Sequence, residues 1–309
     1  MIAHPLAPAR PPSIRERLFS SEPSISFEVF PPRSDDGVLQ LERALDDLLA
    51  FDPAYVSVTC GAGGSSCGGT VETCRGIVQR GVRVLAHLTC RGHTQAELLA
   101  RLDRLREAGI EDVLALRGDP PAGTPEVAGE LKYAADLVRL IQASGHGLQI
   151  GGACYPEVHL ESASKDEDLR WVRAKVAAGA SFLITQVFFE NAFYFDFVER
   201  CRRAGIYVPI VPGIMPITTY EQIEKFSRKC GATVPRRLQL QLERYQNAPE
   251  AARQAGVDHT IAQCAELIER GAPGIHFFTL NRSELALRIL AALPVRATAA
   301  AFSPKRAAG

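Results

Sequence analysis

Short apolar runs alternate along the chain with longer stretches in which leucines return every three or four positions. Eight of the short runs are of β type: SISFEVF (24–30), AYVSVTC (54–60), RVLAHLTC (83–90), DVLALRG (112–118), LQIGGACYP (148–156), FLITQVFF (182–189), YVPIVPGIMP (207–216) and GIHFFTL (274–280). Between them the period changes to that of an amphipathic helix. Over 38–50, Leu41, Leu45, Leu48 and Leu49 form one stripe, and over 97–108 Leu98, Leu102 and Leu105 do the same. Similar stretches cover 169–178, 194–204 and 220–230. Gly81, Gly109, Gly147, Gly179, Gly205 and Gly274 stand where a helix is expected to give way to the next strand.

Eight strand-then-helix units in one chain predict an α/β fold of the (β/α)8 TIM-barrel type. The long interval between the seventh and eighth strands has room for two extra helices, at 235–246 and 249–270. An open doubly wound sheet is the competing architecture. It usually carries Gly-x-Gly-x-x-Gly after its first strand, and SISFEVFPPRSDDG has none. The expected organisation is a single domain: a loose Pro- and Ala-rich arm over 1–22, a catalytic barrel over 23–295 and a loose tail over 296–309.

A length of 309 residues suits two ordinary domains or one barrel, so it does not choose between them. Charge narrows the function further. With 35 basic residues against 35 acidic ones, and the arginines scattered, no field of one sign argues for nucleic acid or an anionic membrane. No run reaches the length of a membrane span, and the N-terminus lacks an apolar signal core. Cys60, Cys67 and Cys74 recur at intervals of seven, but zinc ligands usually come as close pairs and no Cys-x-x-Cys is present. No metal site is expected, and the eight cysteines read as reduced thiols of a cytoplasmic protein.

In such a barrel the chemistry gathers at the C-terminal ends of the strands. Alternation on the first strand puts Ile25, Phe27 and Val29 on one face and Ser24, Ser26, Glu28 and Phe30 on the other. On a solvent-facing strand Glu28 would be trivial, whereas inside a closed barrel, just before Pro31-Pro32, it would be costly and so useful. Thr59 ends the second strand and is followed by GAGGSS. His87 and Thr89 lie on the third, Arg117-Gly118-Asp119 follows the fourth, Tyr155 to His159 the fifth, Thr185-Gln186 the sixth and Asn281-Arg282 the eighth. Each has a plain structural alternative: Glu28 as half of a buried ion pair with Arg117 or Arg282, His87 as a core histidine, Gln186 as a backbone cap. Their placement on one rim points to an active site. In the Arg-Gly-Asp turn, Gly118 lets backbone approach a ligand, Arg117 offers a bidentate fork and Asp119 accepts from ring N–H groups. That suits a heterocyclic cofactor with a phosphate tail.

FEVFPPR, YVSVTCGAGGS, AHLTCRG, LALRGDPP, YAADLV, ACYPEVH, AGASFLITQVFF, PIVPGIMPI and HFFTLNRS, in this order over residues 24–293, resemble the bacterial 5,10-methylenetetrahydrofolate reductases. The resemblance implies a flavoprotein of one-carbon metabolism. FAD would take hydride from NADH or NADPH and pass it to a folate substrate, the two substrates taking turns on one flavin face. Glu28 matches the catalytic glutamate. With few charges near it, burial should raise its pKa and keep it protonated, as a general acid toward N10 of the folate. Asp119 matches the position that tunes the flavin and contacts the pterin. Thr59, His87, Arg117, Gly118, Asp119, Ala134, Tyr155, His159, Asp168 and Lys175 match FAD-lining positions, and Gln186, Gln222, Phe226 and Arg282 match folate-side positions. Phe226 could equally be a core residue of its helix, and Trp171 could stack on the adenosine of FAD or simply pack. The family's habits make a homo-oligomer the expectation. Because the chain ends soon after the barrel, inhibition by S-adenosylmethionine is not expected.

Other readings stay open beside this one. Hydride could pass directly from NAD(P)H to the folate without flavin, or the chain could be a non-catalytic folate-binding protein. A phosphate-binding aldolase or epimerase would want a Schiff-base lysine, and Lys175 falls on a helix. No recognisable ribose-phosphate pocket separates NADH from NADPH.

Overall fold

The computed structural model describes residues 12–60, 69–119 and 129–295. The GAGGSS loop with Gly63 and Gly64, Cys67, Pro120-Pro121 and the expected tail lie outside the described residues. In chain order the elements are α1 (Ile14–Leu18), β1 (Ser24–Val29), α2 (Asp35–Leu49), β2 (Tyr55–Val58), α3 (Thr70–Gln79), β3 (Val84–Thr89), α4 (Gln95–Glu107), β4 (Asp112–Leu116), α5 (Ala134–Ala143) and β5 (Gln149–Cys154). They continue with α6 (Lys165–Ala178), β6 (Phe182–Thr185), α7 (Asn191–Arg203), β7 (Ile210–Val211), β8 (Gly213–Ile214), α8 (Tyr220–Cys230), α9 (Arg236–Arg244), α10 (Pro249–Glu269), β9 (Gly274–Phe278) and α11 (Glu284–Ala291).

The strands form one parallel sheet in the order β7-β6-β5-β4-β3-β2-β1-β9-β8. YVPIVPGIMP forms two short strands rather than one, because Pro212 has no N–H to give the ladder. Before it, Ile210 and Val211 pair with Leu183 and Ile184 of β6; after it, Gly213 and Ile214 pair with His276 and Phe277 of β9. The Pro212 carbonyl itself accepts from the His276 amide at 3.0 Å. The broken strand thus spans the seam and closes the (β/α)8 barrel. Both extra helices stand where the sequence places them, as α9 and α10. Gln263 and His259 of α10 bond the Phe188 and Phe189 carbonyls, bracing the segment that follows β6.

Outward-facing Val29, Val56, Val58, Ala86 and Val113 pack beneath the Leu41, Leu45, Leu98 and Leu102 stripes of α2 and α4. A separate cluster joins Tyr55, Leu85, Leu114, Phe182, Ile184 and Val211 with Ile14 and Leu18 of α1. The Arg15 amide donates to Gln149 at the start of β5, and Arg17 pairs with Asp52 ahead of β2, so α1 lies across the N-terminal end of the barrel. The expected loose arm over 1–22 therefore does not hold for Ile14–Leu18. IRERL spaces two apolar residues one turn apart, and Ser13 and Glu16 form a capping box.

Two smaller expectations also change. The left-handed turn after α10 belongs to Gly271, at φ +85°. Gly274 lies within β9, where a Cβ would come within 2.2 Å of the Ser24 carbonyl oxygen. Cys60 is disulfide-bonded rather than a reduced thiol, while Cys74, Cys90, Cys154, Cys201, Cys230 and Cys264 are free. Pairing depends on the approach of two Cβ atoms, which spacing in sequence does not encode. Among the described residues no helix is long and apolar enough to cross a membrane, and no group of three or more His, Cys, Asp or Glu is placed to hold a metal ion.

Candidate active site

Strand register builds the centre of the site. Parallel pairing sets Glu28 beside Ser57 of β2 and Phe278 of β9, and one layer below sets Ser26 beside Tyr55 and His276. Glu28 is 9% exposed, His87 7% and His276 0%. Glu28 Oε2 lies 3.4 Å from His87 Nε2 and 3.8 Å from His276 Nε2, and the Thr279 hydroxyl donates to the Glu28 carbonyl at 2.6 Å. The partners of Glu28 are thus imidazoles, neither Arg117 nor Arg282.

These neighbours overturn the expectation of a raised pKa. Burial is the largest single influence on the Glu28 carboxyl and pushes it up. The polar side chains of His276 and Ser57 and the nearby His87 imidazole outweigh it, and hold the carboxyl below its usual range. Burial pushes the His87 imidazole down, against the pull of Glu28. The sequence reading assumed a pocket poor in polar neighbours; three strands supply them.

A cleft of about 820 Å³ is lined by Arg117, Ala134, Tyr155, His159, Asp168 and Lys175 among others, whereas Glu28, Thr59, His87, Gly118 and Asp119 lie outside its lining. Arg117 grips Glu161 through two hydrogen bonds of 2.6 and 2.7 Å. Tyr155 meets the His159 ring edge-on at 4.6 Å, and burial, followed by the Asp119 charge, pushes its hydroxyl up to about 12. Lys175 Nζ donates to the Ala153 carbonyl. Burial pushes its ammonium down and the Asp168 carboxyl up, each against the attraction of the other. Trp171 stacks on Tyr133 at 4.3 Å, forming an aromatic wall. Gly118 has φ +90°, and a Cβ there would press on Thr89 at 3.1 Å, so the turn into Asp119 needs a glycine. Asp119 is exposed.

The remaining expected positions frame these two regions. The buried Thr59 follows β2, its carbonyl bonded by Thr70 at 3.0 Å. Gln186 follows β6, and its side-chain oxygen accepts from the Val187 amide at 2.8 Å. Gln222 is fixed by the Thr218 amide and hydroxyl at 2.8 and 2.5 Å. Phe226 is half-buried against the cluster of Val187, Phe189, Met215 and Ile223. Arg282 follows β9 and is exposed; neither it nor Phe226 lines the cleft. Sequence reasoning assigned no role to His276, Ser26, Ser57, Tyr133 or Glu161. Alternation on GIHFFTL turns His276 inward with Phe278, but it stands mid-strand in β9, away from the strand ends where barrel chemistry is expected.

Residues 13–294 match the family model of methylenetetrahydrofolate reductase. The chain is 37% identical over 276 residues to the 5,10-methylenetetrahydrofolate reductase of Pectobacterium carotovorum subsp. carotovorum, covering 88% of this chain and 91% of that protein. It is 35% identical over 283 residues to methylenetetrahydrofolate reductase (NADH) 1 of Arabidopsis thaliana, covering 86% and 48%. The chain spans about half the length of the plant relatives it matches. Among solved structures, an uncharacterized protein from Clostridium thermocellum that binds two copies of 5-methyl-5,6,7,8-tetrahydrofolic acid has a TM-score of 0.61 and 14% identity, covering 90% of this chain and 97% of that one. At that identity the likeness speaks for the barrel fold.

Proposed function

Because the chain belongs to the methylenetetrahydrofolate reductase family, we propose that it reduces 5,10-methylenetetrahydrofolate to 5-methyltetrahydrofolate with electrons from NADH or NADPH passed through FAD. The observation that carries this reading is Glu28, a carboxyl buried at the barrel mouth, in a barrel that also holds a cleft with cationic side chains and an aromatic wall. The cleft fits FAD on the chemistry of its side chains. Lys175 is a buried amine whose hydrogen bond goes to a neutral carbonyl, and a diphosphate in the cleft would add to the Asp168 carboxylate in holding its charge. Arg117 adds a second cation, Asp168 an acceptor for ribose hydroxyls, and Tyr133 with Trp171 a face for adenine. Bound there, FAD supplies the hydride relay between nicotinamide and folate.

The chain's own task is to open the folate ring. Its methylene carbon bridges N5 and N10, and protonating N10 lets the C–N10 bond break to leave an N5 iminium. Glu28 gives that proton. Asp119 accepts from pterin N–H groups, and its negative charge favours the cation forming on N5; Gln186 and Gln222 orient the pterin through their amides. In the open site the neighbours of Glu28 favour the carboxylate. A folate seated over the mouth removes the remaining water and strengthens burial, the influence that raises this carboxyl. Any water this expels shifts Glu28 toward the acid form that gives the proton.

Anaerobic mixing with NADH and with NADPH in separate runs, then with methylenetetrahydrofolate, tests the reading. The flavin absorbance should bleach and then return. In Glu28→Gln the bleaching should persist while the return slows by about 10²–10⁴-fold. Equal rates of return in parent and variant would remove Glu28 from the chemistry.

A further inference from the structure

Beneath Glu28 lies a side chain that the reaction as described does not use. His276 of β9 is fully buried. Its Nδ1 is 2.9 Å from the Ser26 hydroxyl; its Nε2 is 3.4 Å from the Ser57 hydroxyl and 3.8 Å from Glu28 Oε2. The Tyr55 ring stacks on it with centroids 5.6 Å and planes 20° apart, and Phe278 meets it edge-on at 5.4 Å. The imidazole is therefore fixed in orientation. A neutral imidazole has one N–H to place. The Ser26 hydroxyl has two acceptors in reach, Nδ1 and the Ile275 carbonyl at 3.4 Å. With the hydroxyl donating to Nδ1, the nearer, the ring N–H stands on Nε2, facing the Ser57 hydroxyl at 3.4 Å and Glu28 Oε2 at 3.8 Å.

We propose that His276 is a positioning residue: pinned by Ser26, Ser57 and Tyr55, it presents Nε2–H to the Glu28 carboxyl and holds that group in the orientation from which it gives up its proton. The proposal rests on the reading of Glu28 as general acid. A donor at this place favours the carboxylate over the acid, and His276, 3.8 Å away, is the largest of the influences that hold Glu28 down. The other titratable groups facing this layer are His87 from β3, Tyr55 from β2 and, deeper, Asp112 from β4, which is paired with Arg83.

The test is a carboxyl titration by infrared difference spectroscopy without folate, the Glu28 band being assigned by its loss in Glu28→Gln. His276→Asn keeps an amide near the place of Nδ1 but falls short of Glu28; His276→Gln reaches further. The Glu28 midpoint should rise by about one pH unit in His276→Asn, roughly tenfold in proton affinity, and fall back at least halfway in His276→Gln. In turnover, the pH profile of folate reduction should move by the same amount with KM for folate held within about twofold. An unchanged midpoint in folded His276→Asn overturns the proposal. Ser26→Ala covers the case in which that variant does not fold: freeing Nδ1 lets the ring N–H move there, so the midpoint must rise, and no rise overturns the proposal equally. A shifted midpoint with folate reduction untouched in Glu28→Gln supports the hold of His276 on Glu28 and strikes instead at the general-acid reading.

Discussion

The two ends of the barrel interior are built from opposite materials. Toward the N-terminal end, Ile14 and Leu18 of α1 join Tyr55, Leu85, Leu114, Phe182 and Val211 in an apolar plug. Toward the C-terminal end, Ser26, Ser57, His87, His276 and Glu28 occupy adjacent buried layers, with hydroxyls and imidazoles in place of methyls. Buried polar groups cost free energy unless they find partners. The difference teaches how a barrel supports chemistry at one end. The plug excludes water from below, so the groups above it must answer one another, and Glu28 takes its proton affinity from two rings and a hydroxyl rather than from solvent.

Tyr55 belongs to both ends, since its ring packs in the plug and stacks beneath His276. Tyr55→Ala should therefore give the largest effect. A cavity under a fully buried ring costs about 3–5 kcal/mol, read by urea unfolding at constant slope. It should also loosen His276 and raise the Glu28 midpoint. A full stability loss with an unmoved midpoint would mean that the two ends are independent.

Leu18→Ala sharpens the comparison from the plug alone. It should cost about 2 kcal/mol, the low end for a buried leucine, because a five-residue helix can settle into the space. The Glu28 midpoint should stay where it is. A loose arm over this segment would instead predict no change in stability at all.

Acid should act on the polar end. Burial holds His87 below its ordinary value, and the same is true of His159 and His259. Below about pH 6.5 the unfolded chain binds protons that the folded one refuses, so stability falls as pH drops from there toward the lowered folded values. Glu28 adds to this at lower pH: its stabilisation is present above the unfolded carboxylate value and is lost as pH falls through the lowered folded one. Asp168, held up by burial, opposes the trend over its own window. Urea midpoints should decline between pH 7.5 and 5.5, and His87→Gln should flatten part of that slope. An unchanged slope in His87→Gln would place the acid sensitivity elsewhere.

Most of the frame was legible in the sequence because periodicity is a local signal. The Leu stripes of α2 and α4, the extra helices α9 and α10 and the inward turn of Glu28 all follow from spacing along one segment. What escaped is what depends on neighbours in space. Pro212 breaks a strand so that its halves can serve two partners, which a continuous apolar run conceals. IRERL is too short to announce a helix until a barrel end is there to receive Ile14 and Leu18. The proton affinity of Glu28 was misjudged for the same reason: the groups that lower it sit on β2, β3 and β9, and no window around residue 28 contains them.

The smallest expected effect tests whether the cleft follows the rule of the interior. Glu161 is exposed, and Arg117, its partner, is only partly covered. A pair in such a place contributes at most about 1 kcal/mol, since water screens it and two long side chains must be held still. Glu161→Gln should therefore unfold almost as the parent does. Its effect should appear in binding instead. The carboxylate occupies both arms of the Arg117 fork, and an anionic ligand must displace it. With the competing charge gone, inorganic pyrophosphate and FAD should bind a few-fold tighter in calorimetric titration, more so at low salt than at high. Weaker binding in the variant would mean that Glu161 holds Arg117 ready for its ligand rather than competing with it, and the cleft would then be as pre-arranged as the pocket around Glu28.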